Sequence, residues 1–100
     1  MPDGVQGHFY RSAAGAEIDL LLVWPNGRSW AIEIKRSLTP KLERGFHAAC
    51  ADLEPERRVV VYPGTGRYPV APGVDALPLR EFVSEFSATR ATSGRKKRKR

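Results

Sequence analysis

The sequence predicts a small α/β domain: a three-strand meander, a helix, a further strand and a terminal helix. Three observations predict it. The turn signal Pro25-Asn26-Gly27 separates two strand-like runs, Glu17 to Trp24 and Ser29 to Arg36. Leu42, Phe46, Ala49 and Leu53 then recur at helical spacing. Arg58 to Tyr62 is an apolar run of the kind found in strands buried on both faces.

The elements follow in order. Residues 1–7 read as a flexible leader. His8 to Ser12 is short and aromatic and reads as the first strand, closed by a turn at Ala13-Ala14-Gly15. After the hairpin, Thr39 suits a helix N-cap with Pro40 at the first helical position. Gly45 costs that helix up to ~1 kcal/mol relative to Ala, and Pro55 ends it. Residues 63–69 read as loop and Val74 to Pro78 as a short extended segment. Leu79, Phe82, Val83 and Phe86 lie on one side of a terminal helix. The domain is therefore expected over residues 8–86, followed by a linker and a disordered basic tail over 87–100.

Composition bounds the function. The chain has 100 residues, 41% hydrophobic and 28% charged, which suits one small globular domain. No apolar run is long enough to span a bilayer and no signal sequence opens the chain. The lone Cys50 excludes a disulfide framework and a cysteine-rich zinc site. A cytoplasmic protein with no membrane partner is expected. The net charge of +6 is uneven: residues 88–100 hold seven Lys and Arg and no acid, so residues 1–87 carry −1.

The hairpin carries the chemistry. A three-residue Pro25-Asn26-Gly27 loop, with Gly27 at the left-handed bulge position, fits better than a two-residue turn. It pairs Val23 with Ser29, Leu22 with Trp30, Leu21 with Ala31 and Leu20 with Ile32. Continued, it sets Asp19 opposite Glu33, Ile18 opposite Ile34 and Glu17 opposite Lys35. One face is then aliphatic, and the other ends in two carboxylates, a third acid and a lysine. Like charges directly across a ladder are destabilising. Either the acids share a divalent cation through oxygen, as Mg²⁺ prefers, or Glu17 and Lys35 form an exposed ion pair beside two solvated acids. Both readings stand on the residues alone.

The pattern of Asp19 followed after a turn by Glu33-Ile34-Lys35 resembles the PD-(D/E)xK nuclease superfamily. The stretches Phe9 to Ser12, Gly15 to Leu20, Ala31 to Ser37 and Glu56 to Gly64 resemble, more closely, the C-terminal domain of a family of prokaryotic AAA+ ATPases. That domain has a nuclease-like fold and no settled function. The resemblance implies a restriction-endonuclease-like core, here lacking the helix that precedes the first strand. It implies Mg²⁺, or Mn²⁺, at Asp19 and Glu33, with the Ile34 carbonyl and Glu17 as further ligands and Lys35 assisting phosphodiester hydrolysis. No phosphate-binding P-loop motif occurs, so neither the ATPase module nor a nucleotide cofactor is expected. The alternatives are an inactive nucleic-acid-binding or interaction module, or a truncated gene product that needs a protein partner or self-association.

Other residues carry less. His8 and His47 are isolated, Cys50 reads as core, and Trp24 and Trp30 read as hairpin packing. Arg95, Lys96, Lys97, Arg98, Lys99 and Arg100 form a run that either binds nucleic acid through its charge or is simply solvated.

Overall fold

The computed structural model describes residues 4–99, with the side chains of residues 4–89. It contains β1 (Gln6–Arg11), β2 (Glu17–Val23), β3 (Ser29–Ile34), α1 (Arg44–Leu53), β4 (Arg57–Tyr62), β5 (Tyr68–Ala71), β6 (Val74–Pro78) and α2 (Leu79–Lys99). The six strands form one sheet in the order β1-β2-β3-β4-β6-β5. The meander β1-β2-β3 is antiparallel, β3, β4 and β6 run parallel, and β5 returns antiparallel at the edge. The expected α/β core is thus present, with one further hairpin.

A helix covers each face. Under α1, Phe46, Ala49 and Cys50 pack on Ile18, Ala31, Val60, Tyr62 and Ala76. Under α2, Phe82 packs with Val5, Leu22, Trp24, Trp30, Ile32, Val59 and Leu77. The two tryptophans meet at 5.4 Å and Phe86 closes on both, so they serve packing as expected. Arg57 fastens α2 to the sheet. It donates to both Glu85 oxygens at 2.7 and 3.0 Å and to Asp75 at 2.9 Å. Arg67 adds ion pairs to Glu81 and Glu85. The Glu85 carboxyl is held below the usual carboxylate range, chiefly by its hydrogen bonds from Arg57.

Several expectations are corrected. Within the leader expected over 1–7, Val5 is buried and β1 begins at Gln6, so residues 5–7 belong to the folded domain. The loop expected over 63–69 gives way to β5 at Tyr68, and Pro69 is accommodated there because an edge strand can spare an N–H. Helix α1 starts at Arg44, not near Pro40. The Thr39 hydroxyl and N–H both turn to Ser37 Oγ, at 3.4 and 3.0 Å, so neither caps the helix. Its C-terminus is a left-handed Glu54 (φ 49°) before Pro55, as the proline implies. Helix α2 continues past Phe86 through the segment read as linker and tail, to Lys99. Ala, Arg and Lys favour helix there, and no proline interrupts it. The six basic side chains expected to meet nucleic acid, Arg95 to Arg100, lie outside the described side chains.

Gly45 shows how closely α1 approaches the β1–β2 turn. A Cβ at this position would sit 2.5 Å from the Gly15 carbonyl oxygen. Helix propensity alone predicts that Gly45→Ala stabilises by ~1 kcal/mol. The backbone contact reverses that sign: Gly45→Ala is expected to destabilise by about 1–3 kcal/mol in urea unfolding.

Candidate functional site

The hairpin turn forms as its residues dictate. Trp24 N–H donates to Arg28 O and Gly27 N–H to Trp24 O, both at 2.9 Å. Arg28 N–H donates to Asn26 Oδ1 at 3.0 Å, and Gly27 sits at φ 90°, where a side chain would be strained. The register is the expected one from Val23↔Ser29 to Leu20↔Ile32.

Beyond Leu20 the ladder stops. Between His8↔Leu21 and Tyr10↔Ile18, Phe9 faces two β2 residues, Asp19 and Leu20. This is a β-bulge, and it shifts the alternation of β2 by one residue. Leu20 and Leu22 therefore face α2, whereas Leu21 and Ile18 both face α1. The expected pairs Asp19–Glu33, Ile18–Ile34 and Glu17–Lys35 do not form. Asp19 Oδ2 instead accepts the Ile34 N–H at 2.9 Å, taking the place of a strand partner. Glu17 pairs with Arg11 at 3.5 Å, and Ile34 is left 56% exposed.

The site is nevertheless brought together. Glu33 is the buried charged residue among the described residues, only 7% exposed. Burial pushes its carboxyl above the usual range, the Asp19 carboxylate pushes it further, and Glu17 adds a smaller push; Lys35 opposes them. Lys35 Nζ lies 3.5 Å from Glu33 Oε2 and 3.1 Å from Glu43 Oε2. Desolvation disfavours its charge, but Glu43 and Glu33 outweigh that and hold the ammonium above its ordinary range. The Lys35 N–H donates to Val61 O at 2.9 Å, which extends the β3–β4 pairing past Ile34 and fixes the lysine's backbone. An open groove beside the bulge is lined by Phe9, Tyr10, Arg11, Glu17, Ile18 and Asp19.

Glu43 has no signal in the sequence. It joins the site because α1 starts late: it is the N-cap residue, makes no side-chain cap bond, and spends its carboxylate on Lys35. Cys50 is buried, and burial pushes its thiol up. His8 and His47 are exposed. Among the described residues, no group of three or more His, Cys, Asp or Glu side chains is arranged to hold a metal. Also among them, no helix is long and apolar enough to cross a membrane.

The family described as a domain of unknown function, DUF4143, matches residues 2–82. Similar proteins include the uncharacterized proteins Rv2008c of Mycobacterium tuberculosis and Mb2031c of Mycobacterium bovis. Each is 36% identical over 80 residues, which cover 80% of this chain and 18% of the relative. The chain thus spans about a fifth of the length of these curated relatives. No solved structure matches the chain.

The buried Glu33 charge should cost stability. Its carboxyl titrates higher in the folded chain than in the unfolded one. The cost is therefore fully present above the folded pKa and is relieved as pH falls through that pKa toward the unfolded value. Glu33→Gln is expected to raise the melting temperature at neutral pH in EDTA, with the gain vanishing once pH falls below the unfolded carboxyl range. Thermal unfolding of both proteins between acid and neutral pH checks this; a lower melting temperature for Glu33→Gln at neutral pH would refute it.

Proposed function

This chain belongs to the DUF4143 family of domains of unknown function, and from the site it carries we propose a nuclease-like domain that hydrolyses phosphodiesters in nucleic acid with a divalent metal. The observation that carries the reading is a buried glutamate, Glu33, pressed by a second carboxylate, Asp19, and contacted by a lysine, Lys35. Perturbed titratable groups in one cluster beside a groove are a physical signature of a working site. The restriction-endonuclease-like core and the kinship with C-terminal domains of prokaryotic AAA+ ATPases belong to the same proposal.

The donor set fits Mg²⁺ or Mn²⁺. Both carboxylates offer oxygen, and a cation would relieve the repulsion that pushes the Glu33 carboxyl up. A site with two protein carboxylates suits an ion that keeps most of its waters and takes the rest of its ligands from substrate. Asp19 and Glu33 would hold it, with the Ile34 carbonyl as a further oxygen donor; Glu17, expected as another, is turned to Arg11. When bound, such an ion polarises a phosphoryl oxygen and lowers the pKa of a water.

The chain's own groups do the rest. Asp19 keeps one oxygen on the Ile34 N–H, which fixes its carboxylate. Lys35, protonated and steadied by Glu33 and Glu43, would offer its positive charge to negative charge that develops beside Glu33 in hydrolysis.

A second reading has its own observation. Lys35 is held by two acids at once, which suits a binding or interaction module without chemistry.

Two measurements decide. Mg²⁺ or Mn²⁺ is expected to raise the melting temperature of the wild type but not of Asp19→Asn, because binding to the folded state alone stabilises it. Asparagine keeps an acceptor for the Ile34 N–H while removing the charge. Cleavage of single- and double-stranded DNA and RNA with either metal is expected to fall at least ~100-fold in Asp19→Asn. Equal cleavage by both proteins, or none by either, would sink the hydrolase reading.

A further inference from the structure

The basic residues of the described surface differ in whether an acid engages them. Arg11, Arg28, Arg57 and Arg67 are each engaged by acids: Glu17, Glu56, Asp75 with Glu85, and Glu81 with Glu85. Arg36, Lys41, Arg44, Arg58 and Arg80 form no ion pair or side-chain hydrogen bond among the described residues; Arg58 is half-buried and the other four are exposed. Three of the four exposed ones, Arg36, Lys41 and Arg44, share one stretch, the connection from β3 into the first residue of α1. From Lys35 to Arg44 the chain carries four basic residues and one acid, Glu43, and Glu43 is committed to Lys35. The connection also presents the exposed Ser37 and Thr39.

The placement matters as much as the charge. Lys35 Nζ and Glu43 Oε2 lie 3.1 Å apart, which closes the connection into a loop. Arg36 follows Lys35 and Arg44 follows Glu43, so the ion pair brings the chain positions of both arginines to the mouth of one loop, near Glu33. A polyanion approaching Asp19 and Glu33 meets two like charges. Unpaired cations around that point offset the repulsion and draw it in. The repeated, evenly charged partner that fits separate cations along a loop is a phosphodiester backbone. A lipid surface suits it less, because Leu38 is the one large apolar side chain that this loop exposes.

We propose that the β3–α1 connection, residues 36–44, is the docking surface for a nucleic-acid backbone, met by Arg36, Lys41 and Arg44. The proposal rests on the phosphodiesterase reading of the adjoining site. It assigns backbone contact to the folded domain, independently of the basic residues at 95–100.

The test is fluorescence anisotropy with the full chain in EDTA, so that no metal or cleavage enters. The probes are a labelled DNA duplex of about 20 base pairs and the corresponding single strand, which separate the two sources of the same backbone chemistry, over about 50–200 mM salt. The variant R36A/K41A/R44A is expected to lose about tenfold or more in affinity at low salt. Its plot of log affinity against log salt should be shallower by about 2.7 on duplex, the loss of three phosphate contacts. Arg36→Lys with Arg44→Lys should retain binding, since charge is what the backbone reads. An unchanged melting temperature is expected for all variants, because these side chains are exposed. The proposal is overturned if the triple variant binds with wild-type affinity and slope, or if deleting residues 90–100 alone abolishes binding. The wild-type chain separates the two ideas: if it binds through 36–44 in EDTA and cleaves nothing with Mg²⁺ or Mn²⁺, the hydrolase reading is refuted and the docking surface stands.

Discussion

The hydrogen bond from the Ile34 N–H to the Asp19 carboxylate sets the geometry of the functional end of this domain. A strand leaving its neighbour normally exposes unpaired backbone groups, which is costly where water is scarce. Here a side chain supplies the acceptor that the departing strand removes. The bulge at Asp19 and Leu20 can then swing β2 away from β3 without orphaning that amide. Everything else at the site follows. Ile18 drops under α1, Glu33 loses the cross-strand partner it would otherwise have faced, and its carboxylate is enclosed beside Lys35. A mixed role for Asp19, partly structural and partly electrostatic, means that its removal and its neutralisation are different experiments.

The rest of the fold holds this end steady from both sides. Helix α1 presses so closely on the β1–β2 turn that only glycine fits at position 45, and its first residues deliver Glu43 to Lys35. On the opposite face, aromatic packing among Trp24, Trp30, Phe82 and Phe86 does the larger share of the work, at about 0.5–1.5 kcal/mol per pair beyond burial. The Arg57 contacts to Glu85 and Asp75 orient α2 over that cluster. The Trp24 indole nitrogen is buried there without a hydrogen-bond partner among the described residues.

Much of this was readable in the residues, and the parts that were not share a cause. Turn chemistry is local, so Pro25-Asn26-Gly27 gave the hairpin register correctly for four successive pairs. The bulge is a one-residue slip, and β2 reads Asp-Leu-Leu-Leu across it, apolar on either face. Nothing in that run announces where alternation breaks, so the pairs beyond Leu20 were misplaced while the residues themselves were grouped correctly around Glu33. Thr39 has the right chemistry for a cap, but Ser37 competes for it two residues away. Pro69 disguised β5 because the sequence does not say which strand lies at an edge. Glu43 reached the site only as a result of that late helix start.

The separation of the site from the Arg57 clamp along the chain also bears on how the molecule assembles. Glu17, Asp19, Glu33, Lys35 and Glu43 belong to a single continuous stretch, joined by one tight hairpin and one short loop. The contacts that seat α2 join positions 28 residues apart and await β4 and β6. Short loops close at lower entropic cost and sooner than long ones. The contacts of Lys35 with Glu43 and of Ile34 with Asp19, which span 8 and 15 residues, therefore close at lower entropic cost than those that seat the last helix.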